Sequence, residues 1–131
     1  NCRIFPGVAV PDIQSELQAI AGPGVEVTPL GASSASDASP LRADIMAAVT
    51  RAVRAPYPQV VITPYMSAGA TDGLYFRAAG IPTYGVGAIF MRDEDDFAHG
   101  LNERVPTASL YTGLDHWRTL ITELAGPSPG P

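Results

Sequence analysis

Apolar residues along this chain come in short runs separated by Gly, Pro and Ser, and their spacing alternates between two periods. Cys2 to Phe5 reads as a strand that stops at Pro6-Gly7. Pro11 then opens a helix in which Ile13, Leu17 and Ile20 stand at i, i+4 and i+7, and Gly22-Pro23-Gly24 ends it. Val25, Val27 and Pro29 alternate with Glu26 and Thr28, the period of a half-buried strand. Residues 1–31 therefore predict a β-α-β unit, which is half of a small sandwich.

Residues 32–39 are Ala, Ser and one Asp, a composition that buries no apolar surface and reads as a linker. Ser39 is placed to cap a second helix that Pro40 starts, with Leu41, Ile45, Val49 and Val53 near one face and Pro56 as its breaker. Val60-Val61-Ile62 suits a strand buried on both faces. Thr71-Asp72 supplies an N-cap for a third helix ending at Gly80, and Pro82 leads into a strand through Tyr84, Val86 and Ile89. A fourth helix begins near Thr107, carries Leu110, Leu114, Trp117, Ile121 and Leu124 on one stripe, and closes at Gly126. The tail, 127–131, reads as disordered. Strands alternating with helices predict an α/β fold with parallel neighbours, spanning 40–126 in its main part, and ligands in such folds collect at the carboxyl ends of strands. The loops after Ile62 and Ile89 are thus the places to look for chemistry.

Composition narrows the function. A chain of 131 residues with 46% apolar content suits one globular domain. No window approaches the roughly 18–20 apolar residues of a membrane span, and no signal-peptide layout opens the chain, so a soluble protein in the cytoplasm, periplasm or outside is expected. Thirteen acidic residues against eight basic ones give a net charge of -5, which disfavours nucleic acid as a partner. The single cysteine, Cys2, has no disulfide partner and reads as a small buried hydrophobe. The opening Asn-Cys-Arg-Ile-Phe, without an initiator Met, predicts a piece of a longer chain.

His99 stands after Ile89 in the loop Asp-Asp-Phe-Ala-His-Gly-Leu-Asn-Glu-Arg. An imidazole there is able to ligate a metal, although from spacing alone the plainer reading is a surface histidine on an acidic loop. Small residues after Ile62, in Met-Ser-Ala-Gly-Ala-Thr-Asp-Gly, let backbone approach a ligand and aim N–H groups at an anion; the plainer reading is a helix start capped by Asp72. His116 lies beside the apolar stripe of the last helix and reads as a surface or boundary residue. Tyr65, Tyr75, Phe76 and Tyr84 read as core or pocket wall.

Four stretches taken together, Asn1-Cys2-Arg3-Ile4-Phe5-Pro6-Gly7, Pro64 to Asp72, Gly80-Ile81-Pro82-Thr83-Tyr84-Gly85 and His99-Gly100-Leu101-Asn102-Glu103-Arg104-Val105, resemble the M20 metallopeptidases and aminoacylases, including carboxypeptidase S-like enzymes and succinyl-diaminopimelate desuccinylase. The resemblance implies a phosphorylase/hydrolase-like catalytic sheet holding two Zn2+ ions, preceded by the C-terminal half of a ferredoxin-like lid in 1–31 that commonly mediates homodimers. It implies that His99 is a metal ligand and that Arg3 grips the substrate's free carboxylate. It further implies that Gly69, Ala70 and Thr71 line the substrate pocket through backbone N–H groups and the Thr71 hydroxyl. The substrate class implied is a small peptide or N-acyl amino acid.

Ala70 stands where Gly is common in that family, and Leu74 where many members place a basic residue. The HxD segment, the Glu-Glu pair and the general base of the family are absent from these 131 residues, so no catalytic residue is assigned, and zinc binding by the chain alone is expected to be weak or nil. The run Asp93 to Asp96 splays apart and is assigned no role. Two other readings remain: a non-catalytic binding domain that keeps the fold, and an independent hydrolase built on Asp72 and His99. The second lacks a nucleophile and base with an orienting third group.

Overall fold

The computed structural model describes residues 1–31 and 35–127. The middle of the predicted linker (32–34) and most of the predicted tail (128–131) lie outside the described residues. Four α-helices follow in order, α1 (Val10–Ala21), α2 (Ala43–Arg54), α3 (Gly73–Ala78) and α4 (Thr107–Ala125), with a short 3-10 turn at Asp93–Asp95. No helix among the described residues is long and apolar enough to cross a membrane. The chain divides into two units: Asn1–Pro40 with Tyr65–Gly85, and Leu41–Pro64 with Val86–Pro131.

In the first unit, α1 starts where its Pro requires and stops at Gly22, whose φ of 78° is open to glycine and whose N–H bonds the Gln18 carbonyl at 3.0 Å. The helix buries no residue, and Ile20 is 83% exposed. Side-chain amides hold the following segment instead. Gln18 Nε2 donates to the carbonyls of Gly22 (3.1 Å) and Val25 (2.7 Å), and its Oε1 accepts the Val27 N–H at 2.9 Å. Gln14 Nε2 donates to the Val27 carbonyl at 2.9 Å. Ser39 does the same work elsewhere: its Oγ donates to the Thr83 carbonyl and accepts the Thr83 N–H, each at 2.8 Å. Tyr84 Oη reaches the Pro40 carbonyl at 2.6 Å.

The second unit is built on α2 against α4. Ala48 and Ala52 of α2 and Leu120 of α4 form the buried cluster, with Val49 and Val86 packed on it. Arg51 on α2 forms a forked ion pair with Glu123 on α4, one arm of which, Nε to Oε2, is 3.1 Å. The buried face of α4 is Ser109, Gly113, His116 and Leu120, at i, i+4, i+7 and i+11. A Cβ on Gly113 would lie 2.5 Å from the Ala88 carbonyl oxygen, so a glycine is what lets α4 approach this backbone so closely. The Ser109 hydroxyl donates to the neighbouring Phe90 carbonyl.

Several expectations are corrected by this architecture. The α/β sheet is not formed, nor is the β-α-β half-lid: no strand occurs among the described residues. A strand needs a neighbouring backbone to complete its ladder, and here the segments read as strands take their bonds from side chains, Val27 from two glutamines, Thr83 from a serine, the Val60 carbonyl from Arg54 Nε at 3.3 Å. The apolar stripe of α4 faces outward, with Leu114 67% exposed, because close packing on Ala88 selects the small-residue face. Ser39 does not cap α2, which begins three residues after Pro40 behind Arg42. Asp72 makes no capping bond to α3: its φ and ψ of -63° and -12° are helical, whereas a cap must be extended to aim its carboxylate at the first N–H groups. Cys2 is exposed, as are Tyr65, Tyr75 and Phe76, so these aromatics are not core.

Candidate active site

His99 is carried by the turn between the acidic 3-10 segment and α4. Its φ is 60°, the left-handed region, which it alone among the described non-glycine residues occupies. Such a backbone costs a residue with a β-carbon about 1–2 kcal/mol, so the surrounding loop must hold it. Asp96 Oδ1 accepts the Ala98 N–H at 3.0 Å, the Phe97 carbonyl accepts the Gly100 N–H at 3.0 Å, and the Gly100 carbonyl accepts the Glu103 N–H at 3.3 Å. The Arg104 guanidinium carbon lies 3.4 Å from the centroid of the Phe97 ring. An exposed cation–π contact contributes about 0.5–1 kcal/mol, and it adds to the loop hydrogen bonds in offsetting the strain. A β-carbon at Gly100 would meet the Phe97 carbonyl oxygen at 3.1 Å, which favours glycine after the histidine.

The His99 side chain is exposed and takes part in no hydrogen bond or ion pair among the described residues. Either ring nitrogen is therefore open to a ligand. Among the described residues no group of three or more His, Cys, Asp or Glu is arranged to hold a metal ion. His99 fits a metal as one donor, and the chain does not assemble a complete coordination set around it.

The other predicted site residues fall in the first unit, whereas His99 belongs to the second. Gly69, Ala70 and Thr71 form an exposed turn before α3. The Gly69 N–H is already committed, donating to Ser67 Oγ at 3.0 Å, which leaves the Ala70 and Thr71 N–H groups and the Thr71 hydroxyl for a ligand. Arg3 is exposed and unpaired among the described residues. The broad trough of about 700 Å3 along α1, lined by Gln14, Gln18 and Pro23 among others, includes none of these residues.

Three residues to which the sequence reading assigned no part in the site matter to the local geometry. Gly73 is buried, and a β-carbon there would lie 3.0–3.1 Å from Arg77, Thr71 and Thr83 side chains; the Asp-Gly step at a helix start was its only signal. Arg104 had none, because a cation over a ring seven residues back in a loop has no periodicity. His116, read as a surface or boundary residue, is 1% exposed, with both ring nitrogens lacking a partner among the described residues. It sits edge-on to Phe90 and Trp117, at centroid distances of 5.4 and 5.8 Å, on the wall of a cleft of about 290 Å3 between α2 and α4.

A family model, Peptidase family M20/M25/M40, matches residues 4–123. This chain belongs to that family, whose members are generally metal-dependent peptidases. The matched span takes in the Gly69–Thr71 turn and the His99 loop and begins one residue after Arg3. No curated protein and no solved structure matches the chain.

Proposed function

We propose that this chain forms part of a zinc-dependent amidohydrolase or carboxypeptidase that cleaves an amide bond next to a free carboxylate, in a small peptide or an N-acyl amino acid. The observation that carries the reading is His99: an exposed imidazole without a partner among the described residues, held on a left-handed backbone inside the span that matches a peptidase family. In this reading His99 is one metal ligand. Arg3 pairs both oxygens of the substrate carboxylate through its planar fork. The Ala70 and Thr71 N–H groups with the Thr71 hydroxyl orient the substrate. The bound metal supplies an acidified water and polarises the scissile carbonyl. Among the described residues no group of three or more His, Cys, Asp or Glu could hold a metal ion, so in this reading the remaining ligands and the general base come from polypeptide beyond these 131 residues. The isolated chain accordingly has no turnover.

The test is hydrolysis of dipeptides and N-acyl amino acids by the protein that joins this chain to the remaining ligands. EDTA-sensitive release of free amino acid is expected. It is abolished in His99→Ala, whereas Arg3→Ala raises KM for carboxylate-bearing substrates far more than it lowers kcat. Full metal-dependent activity in His99→Ala overturns the reading.

A further inference from the structure

Within the His99 loop one residue is tied to the strained histidine by two different parts of itself. Phe97 gives its carbonyl to the Gly100 N–H, closing a turn around Ala98 and His99, and gives its ring face to Arg104 at 3.4 Å. The turn alone is short and exposed, and the Phe97 side chain is the only half-buried one between Arg92 and Val105. Removing the cation frees the ring, and with it the carbonyl that closes the turn. The histidine is then free to relax to an ordinary negative φ, which swings its Cα–Cβ bond, and hence the imidazole, to another direction.

We infer that Arg104 is a positioning residue: by stacking on Phe97 it clasps the loop that holds His99 left-handed and so aims the imidazole. As a positioning role for a metal ligand, this rests on the reading of His99 given above. The guanidinium is suited to the task because it lies flat on an aromatic face while its charge stays in water. A lysine keeps the charge and the attraction to the ring but not the flat stack.

The experiment uses NMR on the 131-residue chain and on Arg104→Ala, Arg104→Lys and Phe97→Leu. A left-handed residue brings its own amide and α protons unusually close, so His99 is expected to show a strong intraresidue amide-to-α NOE. That NOE falls to the level of extended residues in Arg104→Ala and Phe97→Leu and is partly restored in Arg104→Lys, while the far-UV helical signal of α2 and α4 is unchanged. In the protein that joins this chain to the remaining metal ligands, the same variants are expected to lower metal affinity severalfold in parallel. An NOE that stays strong in Arg104→Ala or in Phe97→Leu overturns the clasp, whatever zinc does. Metal affinity of that protein left unchanged by His99→Ala overturns instead the metal reading on which the positioning role depends.

Discussion

The two units of this chain are held together by different means. The unit containing α2 and α4 buries Ala48, Ala52, Val53, Ala88 and Leu120 and adds a forked Arg51–Glu123 ion pair between its helices. The unit containing α1 and α3 buries no large apolar side chain; Gly73 is its one buried residue among those described. What orders it is a set of side-chain-to-backbone hydrogen bonds from Gln14, Gln18, Ser39 and Tyr84. Burial is cooperative and acts on many atoms at once, whereas each exposed or half-exposed hydrogen bond exchanges against water for a net of about 1 kcal/mol. The first unit should therefore open locally at lower free energy than the second, and its amides should exchange first. The metal-ligand candidate belongs to the unit with the core, and the substrate-binding candidates belong to the one without it.

Breaking the core should give the largest effect. Leu120→Ala removes the side chain that closes the Ala48 and Ala52 cluster, and a loss of about 3 kcal/mol is expected in urea unfolding of α2 and α4. Gly113→Ala places a methyl on the Ala88 carbonyl, a backbone atom that cannot move aside cheaply. Overpacking by this much costs more than the helix gains from alanine, for a net loss of about 2 kcal/mol; equal or greater stability in this variant would show that α4 does not approach residue 88 closely. Replacing His116 by Leu takes two unsatisfied buried nitrogens out of the same interface. Here the sign reverses, and the melting temperature should rise by the equivalent of about 1 kcal/mol.

A complementary variant sharpens the contrast from the other side. Gln18→Ala deletes three hydrogen bonds to residues 22–27, so amide exchange there should quicken by an amount equivalent to about 1 kcal/mol. The protection of α2 and α4 should not change.

The smallest effect expected is with pH. The Arg42 guanidinium, bonded to Asp44 at 3.1 and 2.6 Å, holds that carboxyl below its ordinary value. A depressed folded-state pKa contributes stability that is complete above the unfolded value, about 3.9 for Asp, and is lost as pH falls through the folded one. Acid titration of the second unit should show a shallow loss in that window that Asp44→Asn removes.

The ends of α1 and α4 were legible in the sequence because local chemistry fixes them, Pro11 and Gly22 for α1 and Thr107 and Gly126 for α4. The start expected for α2 at Pro40 and the Asp72 cap of α3 were not formed. The segments read as strands were not legible, since an alternating pattern in 25–29 states only that one face is apolar. Which group meets its backbone is decided by what lies near, here the amides of Gln14 and Gln18. The face of α4 failed for a related reason. Hydrophobic periodicity points at Leu110, Leu114 and Ile121, but the approach to Ala88 depends on Gly113, and the small side of the helix goes inward, taking His116 with it. Of the candidate site, the His99 loop and the turn at Gly69–Thr71 were recognisable as motifs. The left-handed histidine and the Arg104–Phe97 stack required the folded loop.

The two histidines of the chain offer the most direct test of the account, since one is exposed on a strained loop and the other is enclosed between aromatic rings. Zn2+ titrated into the 131-residue chain while both imidazole ring resonances are followed should move His99 alone, weakly and reversibly with EDTA, and leave His116 unchanged. A shift at His116 in place of His99 would contradict the assignment of His99 as the metal ligand this chain provides.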